Sequence, residues 1–247
     1  MSPSGGQLSR RAFVKSAVAI GGASALAACT EREGAPEVPT GPADLNDLPN
    51  RQHGWNAGLE TDDAGNHLNA RHHVVLLLEY TGSGPPAQAD RETLESALQG
   101  LEHAYKRASD GLLLQIGYTP TYFDRFQESL PASVDLREPT ALSALEDPDF
   151  DHPDALLHLA SDYGSVVLAA EEVLFGETDR VNGVEMDASL AGIVERVDRR
   201  TGFVGTGLPA DHQDIAGIPD GNPVDEEAPL YMGFKSGFAK AQASEDR

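Results

Sequence analysis

The single cysteine of the chain stands where its sulfur could be modified chemically. Cys29 follows Leu26-Ala27-Ala28 at the end of a short apolar run, and the basic pair Arg10 and Arg11 precedes that run. A basic segment, a short apolar segment and small residues before a cleavage point are typical of a secretory signal, and paired arginines indicate the twin-arginine (Tat) export route. The Leu-Ala-Ala-Cys sequence resembles a lipoprotein box, in which the cysteine sulfur is acylated. We therefore predict a Tat signal peptide over residues 1–29, with a lipid anchor at Cys29 on the extracellular face of the cell membrane.

The alternative for this segment is an ordinary signal peptide with a chance cysteine. In both cases the apolar run from Ser16 to Ala28 is too short to cross a bilayer core of roughly 30 Å, which takes about 20 apolar residues. The run is therefore predicted to be a processing segment and not a permanent membrane span. One acyl chain anchors a protein only weakly, so firm attachment would need more than one.

Histidines could bind metal, but their arrangement argues against it. Trp55 and four histidines lie in or just after a polar stretch, and these histidines are His53, His67, His72 and His73. Their spacing is irregular and no acidic ligand pattern accompanies them, so no metal site is predicted there. His158 alternates with Leu157 and Leu159 on a predicted strand, so it should point away from them. We interpret it as a structural histidine, with a role in a site as the alternative.

The charge balance excludes one class of partner. Acidic residues number 40 against 18 basic ones, the formal net charge is −22, and only four lysines occur. Nucleic-acid binding requires basic patches, so it is not expected. Low lysine with abundant Asp and Glu is typical of a halophilic protein, in which concentrated salt screens the repulsion. A merely acidic exported protein is the alternative. With no cysteine after Cys29, neither disulfides nor thiolate metal sites are expected.

Hydrophobic periodicity divides the rest of the chain. Residues 30–70 are rich in Pro, Gly, Asp and Asn and are predicted to form a flexible linker. Apolar runs predict strands at 73–80, 112–118, 155–160 and 189–197. Between the first two, Leu94, Leu98, Leu101 and Tyr105 repeat at helical spacing after Asp90 as N-cap. A second helix follows Asp162 as N-cap and ends at Gly176, a short helix runs from Pro120 to Phe126, and residues 129–153 are predicted to be a loop.

The order of these elements predicts the fold class. Strand–helix–strand followed by strand–helix–strand is the split βαβ order of a ferredoxin-like α+β sandwich, placed at residues 71–247. Both helices should cover one face of a four-stranded antiparallel sheet. The other face then needs cover from a second copy or a partner, as in a dimeric α+β barrel. Glycine-rich passages at 199–207, 217–221 and 232–237 follow the fourth strand without a closing element, so the fold is expected to be incomplete at its C-terminus.

Three passages carry a family resemblance. The two βαβ units, Asp110-Gly-Leu-Leu-Leu-Gln-Ile-Gly-Tyr118, and Ala155-Leu-Leu-His-Leu-Ala-Ser-Asp162 leading into a helix are followed by the glycine-rich region. This layout over residues 70–247 resembles the N-terminal half of the dye-decolourising (Dyp-type) haem peroxidases, many of which are Tat-exported. It also resembles a group of Tat-exported haloarchaeal proteins related to them.

The resemblance implies a haem cofactor and a distal aspartate in a Gly-x-x-Asp-Gly signature. By position the counterpart is Gly233-Phe234-Lys235-Ser236-Gly237, which would contact the cofactor and puts Ser236 where the aspartate is expected. A serine hydroxyl has too high a pKa to act as a base, although it can hydrogen-bond peroxide. Asp220, in Gly217-Ile-Pro-Asp-Gly221, fits the signature better but lies earlier, and Pro-Asp-Gly is a common turn. The family's iron-binding histidine lies in a C-terminal half that this chain does not match.

These implications leave more than one functional hypothesis. The first is an exported haem-dependent peroxidase-like protein, a peroxide-driven oxidoreductase that is inactive or degenerate in this chain and needs a missing C-terminal half or a homo-oligomer. Lys235, Lys240 and Arg247 could then pair with haem propionates, although solvated charges are the favoured interpretation. The second is a non-catalytic, membrane-anchored surface lipoprotein that binds a ligand or partner through the same fold. The third is a dimeric α+β module without a cofactor. Little or no peroxidase activity is expected.

Overall fold

The computed structural model describes residues 37–49, 54–63, 67–205 and 207–215. The chain divides into a unit of Met1–Val38 and a second unit that begins at Pro39, and the fold described below belongs to the second unit. Its strands are β1 (Glu60–Thr61), β2 (His67–Leu68), β3 (His72–Tyr80), β4 (Leu113–Tyr118), β5 (Ala155–Ser161), β6 (Arg180–Val181), β7 (Val184–Glu185) and β8 (Val194–Phe203). Its α-helices are α1 (Gln88–Ala104), α2 (Pro120–Phe123) and α3 (Gly164–Leu174).

A four-stranded sheet forms the centre of this unit. The strand order is β4-β5-β3-β8, and every neighbouring pair is antiparallel. With α1 after β3 and α3 after β5, the long elements follow the predicted strand–helix–strand order twice, which is the split βαβ pattern. The predicted α+β class with an antiparallel sheet is confirmed. The closure of two sheets into a dimeric barrel stays a prediction.

The helices lie on one face of this sheet and bury its leucines. Leu76, Leu157 and Leu159 share that face by strand alternation, and all three are fully buried. Helix α3 buries an apolar face that includes Val167 and Val173. Gly176, with a φ of +71°, follows the helix in the left-handed conformation that glycine adopts without strain. Within the described part of the chain, no helix is both long enough and apolar enough to span a bilayer.

Both predicted N-caps are wrong. Helix α1 begins at Gln88, so Asp90 lies inside its first turn, where its carboxylate accepts a hydrogen bond from the Tyr80 hydroxyl. Helix α3 begins at Gly164, and the Asp162 carboxylate accepts the backbone N–H of Arg71 across the fold. In both places the carboxylate accepts a hydrogen bond from another segment of the chain, and not from the backbone N–H groups of the helix that it was predicted to cap.

The fourth strand begins later than predicted and is more polar. The prediction was 189–197, but β8 covers Val194–Phe203 and takes in most of the first glycine-rich passage. Leu190, in the segment before β8, is fully buried. The apolar character of this segment therefore reflects burial in the core and not a strand. Strand β8 is exposed along most of its length at the sheet edge, where charged residues discourage pairing with other chains. It is tied to α3 by Arg196 and Arg199, which both donate to the buried carboxylate of Glu171.

The segment before the sheet contains structure that the sequence did not predict. A 3-10 turn at Trp55–Gly58 brings Trp55 and Leu59 against Ala70, Leu113 and Ala160, on the sheet face opposite the helices. Nearer its start, the backbone at Gly41 passes so close to the C-terminal end of α1 that an added Cβ would lie 1.8 Å from the carbonyl oxygen of Glu102. The domain boundary at residue 70 stays a prediction.

His158 lies on this second face in a chain of hydrogen bonds. His73 contacts the carbonyl oxygen of Ala70 through Nε2 at 2.7 Å and His158 through Nδ1, which lies 3.1 Å from His158 Nε2. A carbonyl can only accept, so His73 donates to Ala70 and accepts from His158. The indole of Trp55 packs on His158 with ring centroids 4.7 Å apart. The interpretation of His158 as a structural histidine agrees with these contacts.

We predict that His158 makes stability fall in mild acid. Burial and the neighbouring His73 lower the pKa of His158 to about 4, whereas an unfolded chain has a value near 6.5. The stabilisation is therefore complete above about pH 6.5 and is lost as pH falls toward 4. His158→Gln should remove about 1 kcal/mol of this pH dependence, a figure reduced for partial solvent exposure. Denaturant unfolding at a series of pH values measures it.

The control for this prediction is His152→Gln, which changes an exposed histidine 3.9 Å from Glu138. It should leave the slope of stability against pH as in the wild type. An unchanged slope in His158→Gln would contradict the assignment.

Candidate functional site

The site residues predicted from the sequence lie outside the described residues. They are Arg10, Arg11, Cys29, Asp220, Gly233, Phe234, Lys235, Ser236 and Gly237. Their roles stay predictions. Among the described residues, no three His, Cys, Asp or Glu side chains are grouped so that they could hold a metal ion.

A cavity of about 510 Å³ lies between helix α1 and the helix-covered face of the sheet. Helix α1 is fully buried at Ala97, Leu101 and Ala104, whereas Leu94, nearer its N-terminus, is only half-buried. The space left there has the size of a small-molecule site, for which 300–1,000 Å³ is the usual range. Its apolar lining includes Leu78, Leu94, Leu98, Leu114, Ile116 and Val194.

Tyrosines form an aromatic part of the lining. Tyr118 ends β4 and Tyr122 lies in α2, and their ring centroids are 4.4 Å apart. Pro120 at the first position of α2 starts the helix directly after the strand and so brings the two rings together. Phe126 packs on Tyr122 with centroids 5.4 Å apart. Burial raises the pKa of Tyr118 and of Tyr122, so both phenols are neutral at physiological pH.

Tyr80 joins the sheet to the helix at this cavity. Its hydroxyl donates to Oδ2 of Asp90 at 2.5 Å, which fixes the end of β3 against the first turn of α1. This hydrogen bond raises the pKa of Tyr80, because ionising the phenol would remove its proton. The guanidinium carbon of Arg125 lies 5.5 Å from the centroid of the Tyr80 ring, a cation–π contact.

Asp154 is the centre of the polar network beside the cavity. Its side chain is 3% exposed and accepts two hydrogen bonds from Arg125, from Nε and Nη2, both at 2.7 Å. It also accepts the backbone N–H of Tyr80 at 2.7 Å. Arg125 donates further to the carbonyl oxygens of Tyr80 and Gly82. The end of β3, the start of β5 and the segment after α2 are thereby held together, and this hydrogen-bonded partner raises the pKa of Arg125.

The remaining polar lining is mainly anionic. Asp90, Glu95 and Glu102 supply carboxylates from α1, and Arg91 supplies a guanidinium. Burial raises the pKa of Glu102, although the charges of Arg107 and His103 act in the opposite direction. The cavity therefore offers apolar and aromatic surface with carboxylates along one side.

The described lining does not fit a coordinated haem. It contains no histidine, cysteine or methionine, and the tyrosines, the remaining class of protein ligand for haem iron, have raised pKa values that disfavour the phenolate. The two propionates of a haem would also meet the carboxylates of α1. His158 cannot supply the ligand here, because strand alternation places it on the other face of the sheet.

Sequence reasoning missed this cavity because its residues come from separate elements. A weak signal exists in Tyr118-x-x-x-Tyr122 with Pro120 between, which places two aromatic residues on either side of a strand-to-helix turn. Asp154, directly before a strand after a long polar loop, gave no sign of its partner Arg125.

Comparisons with known proteins place the chain in one family. A family model described as "Family of unknown function (DUF7405)" matches residues 70–247. No curated protein matches the chain.

Solved structures show a distant likeness. A DyP-type peroxidase from Mycobacterium smegmatis gives a TM-score of 0.42 at 16% identity, covering 67% of this chain and 49% of that one. A dye-decolorizing protein from V. cholerae gives 0.41 at 15%, covering 70% and 51%. A DypB variant from Rhodococcus jostii RHA1 in complex with heme gives 0.39 at 15%, covering 55% and 40%. This chain thus spans about half or less of their length, and no residue role follows from such TM-scores.

We predict that the Asp154–Arg125 pair is a large contributor to stability. Asp154→Asn should lower the free energy of unfolding by about 3 kcal/mol, because it leaves a largely buried guanidinium without its charge partner. The matched control is Asp135→Asn, which breaks an equally bidentate pair with Arg137 whose side chains are 68% and 80% exposed. The control should cost less than about 0.5 kcal/mol. Denaturant unfolding measures both, and equal losses would contradict the prediction.

Proposed function

Since the chain belongs to the family of unknown function DUF7405, whose name assigns no activity, we propose that it is a ligand-binding protein exported to the cell surface. Its domain binds a small, largely apolar molecule in the cavity between α1 and the sheet. It has little or no peroxidase activity of its own. The proposal corresponds to the non-catalytic hypothesis of the sequence analysis. It assigns ligand binding to the cavity and not to the glycine-rich C-terminal passages.

The observation that carries the proposal is the composition of the cavity wall. Most of the wall surface is apolar, with leucine, isoleucine and valine side chains in it, and Tyr118 and Tyr122 add flat aromatic area. Burying apolar ligand surface is favourable by about 25 cal/mol per Å² before the costs of association are subtracted. The described wall contains no serine, cysteine or histidine and no metal cluster, and its carboxylates lie beside apolar and aromatic surface, so it suits binding better than catalysis.

A haem-dependent peroxidase-like function is the second candidate. The sequence passages that resemble Dyp-type peroxidases favour it, and the lining described above does not. The two candidates differ in a simple observable, because a protein carrying coordinated haem shows a Soret band and the proposed ligand-binding protein does not. Peroxide-dependent oxidation of an anthraquinone dye at an enzymatic rate would favour the second candidate.

Export and anchoring are a separate part of the proposal. The Arg10–Arg11 pair and the Leu-Ala-Ala-Cys sequence ending at Cys29 support it. A lipid anchor would hold the binding domain close to the membrane, where apolar molecules are concentrated.

We predict that Cys29→Ser releases the protein from the membrane. The substitution removes the sulfur that would carry the acyl chain and leaves the rest of the export signal unchanged. Cell fractionation should find the wild type with the membrane and the variant in the medium. Ser4→Ala, a change upstream of the twin-arginine segment, is the control and should stay with the membrane. Membrane association of the Cys29→Ser protein equal to that of the wild type would contradict lipidation.

The cavity is tested with N-phenyl-1-naphthylamine, a neutral fluorescent probe that brightens in apolar surroundings. We predict saturable binding at one site. Leu94→Trp should weaken it at least tenfold, because an indole on α1 fills the cavity. The control is Leu168→Trp, which adds the same indole at a 40% exposed position of α3 outside the cavity lining. It should bind the probe as the wild type does.

Two outcomes would contradict the proposed function. One is the absence of saturable probe binding to the wild type. The other is equal binding by Leu94→Trp and wild type when circular dichroism shows both to be folded, because the probe would then occupy another site.

A further inference from the structure

Among the residues that line the cavity, carboxylates outnumber cations. Of the four acidic residues in its lining, Asp154 is neutralised by its bidentate partner Arg125. The other three, Asp90, Glu95 and Glu102, lie on α1 together with a single guanidinium, that of Arg91. A ligand in the cavity therefore meets a net negative charge from the helix.

Glu102 is the carboxylate most affected by its surroundings. It is half-buried near the C-terminal end of α1, and the loss of solvent raises its pKa despite the opposing charges of Arg107 and His103. A carboxylate whose charged form is disfavoured by burial gains from a cation placed beside it, because the cation restores the stabilisation that water supplied.

The tyrosines supply faces of the kind that attract cations. Aromatic rings carry negative charge on their faces, and a cation over such a face gains about 0.5–2 kcal/mol depending on desolvation. The Tyr80 ring already takes the guanidinium of Arg125. Tyr118 and Tyr122 are neutral, pack on each other and line the same cavity, so they add aromatic surface that a ligand can contact.

We propose that the cavity selects an organic cation, a quaternary ammonium or protonated amine that carries an apolar group. This inference rests on the proposed function and specifies its ligand class. The apolar and aromatic walls take the hydrocarbon part, and the carboxylates of α1 with the tyrosine faces take the charge. An organic anion meets the same carboxylates with the wrong sign, and a bare metal ion finds no cluster of ligands among the described residues.

Three ligands of matched shape test the inference. Benzyltrimethylammonium is the cation, neopentylbenzene replaces its nitrogen by carbon, and benzenesulfonate is an anion of similar size. Each competes with bound N-phenyl-1-naphthylamine in 1 M KCl, where screening lengths of about 3 Å suppress non-specific attraction to the acidic surface. The cation should displace the probe at a concentration at least fivefold lower than either of the others.

The outcomes separate the inference from the proposed function. If the probe binds but the neutral ligand or the anion competes as well as the cation, the inference is wrong and the proposed function stands. If neither the probe nor any of the three binds, the proposed function fails and the inference with it.

Two variants, each lacking one carboxylate charge, test whether the cavity or the outer surface of α1 attracts the cation. Glu102→Gln should reduce the affinity for benzyltrimethylammonium at least fivefold while leaving that for the neutral probe unchanged. Glu92→Gln removes the same charge from the exposed side of α1, where Glu92 bonds to Gln88 and does not line the cavity, and should change neither affinity. Equal losses in both variants would show that the general acidity of the chain attracts the cation, and would overturn the inference.

Discussion

The buried ion pair between Asp154 and Arg125 is the interaction on which the rest of the site depends. Each carboxylate oxygen of Asp154 accepts a hydrogen bond from one guanidinium nitrogen of Arg125. Arg125 also donates to the carbonyl oxygens of Tyr80 and Gly82. A buried carboxylate without such partners would be strongly unfavourable, so each group stabilises the presence of the other. Because the pair joins the end of β3 to the start of β5, it also fixes Tyr80, and Tyr80 in turn holds the first turn of α1 through Asp90.

The sheet and its two long helices could be predicted because their signals are local. A continuous apolar run such as 73–80 identifies a strand buried on both faces, and the spacing of Leu94, Leu98 and Leu101 identifies one face of a helix. The same local reasoning failed at Asp90 and Asp162, where partners from distant segments take the carboxylates. It also failed at β8, where the strand was expected to end at residue 197 although the backbone pairs with β3 as far as Phe203.

The site could not be predicted for a related reason. Its wall combines β3, α1, β4, α2 and the start of β8, and no stretch of sequence contains more than a small part of it. Arg125 and Asp154 are separated by a long, mostly exposed polar loop, so nothing in the sequence pairs them. The motifs at 217–221 and 233–237 that carried the sequence interpretation lie outside the described residues. The cavity gives the chain a candidate site that does not depend on them.

Charge explains why this cavity and the acidic surface should behave differently in salt. At about 1 M salt the screening length falls to roughly 3 Å, so carboxylates exposed to solvent lose most of their reach. Glu102 is half-buried, and the solution ions that screen the surface have less access to it and to a cation bound against it. Selection by the cavity should therefore persist under conditions in which the net charge of −22 has ceased to attract cations in general. A haem, with two propionates, would have the opposite preference, since screening could only weaken its repulsion by the same carboxylates.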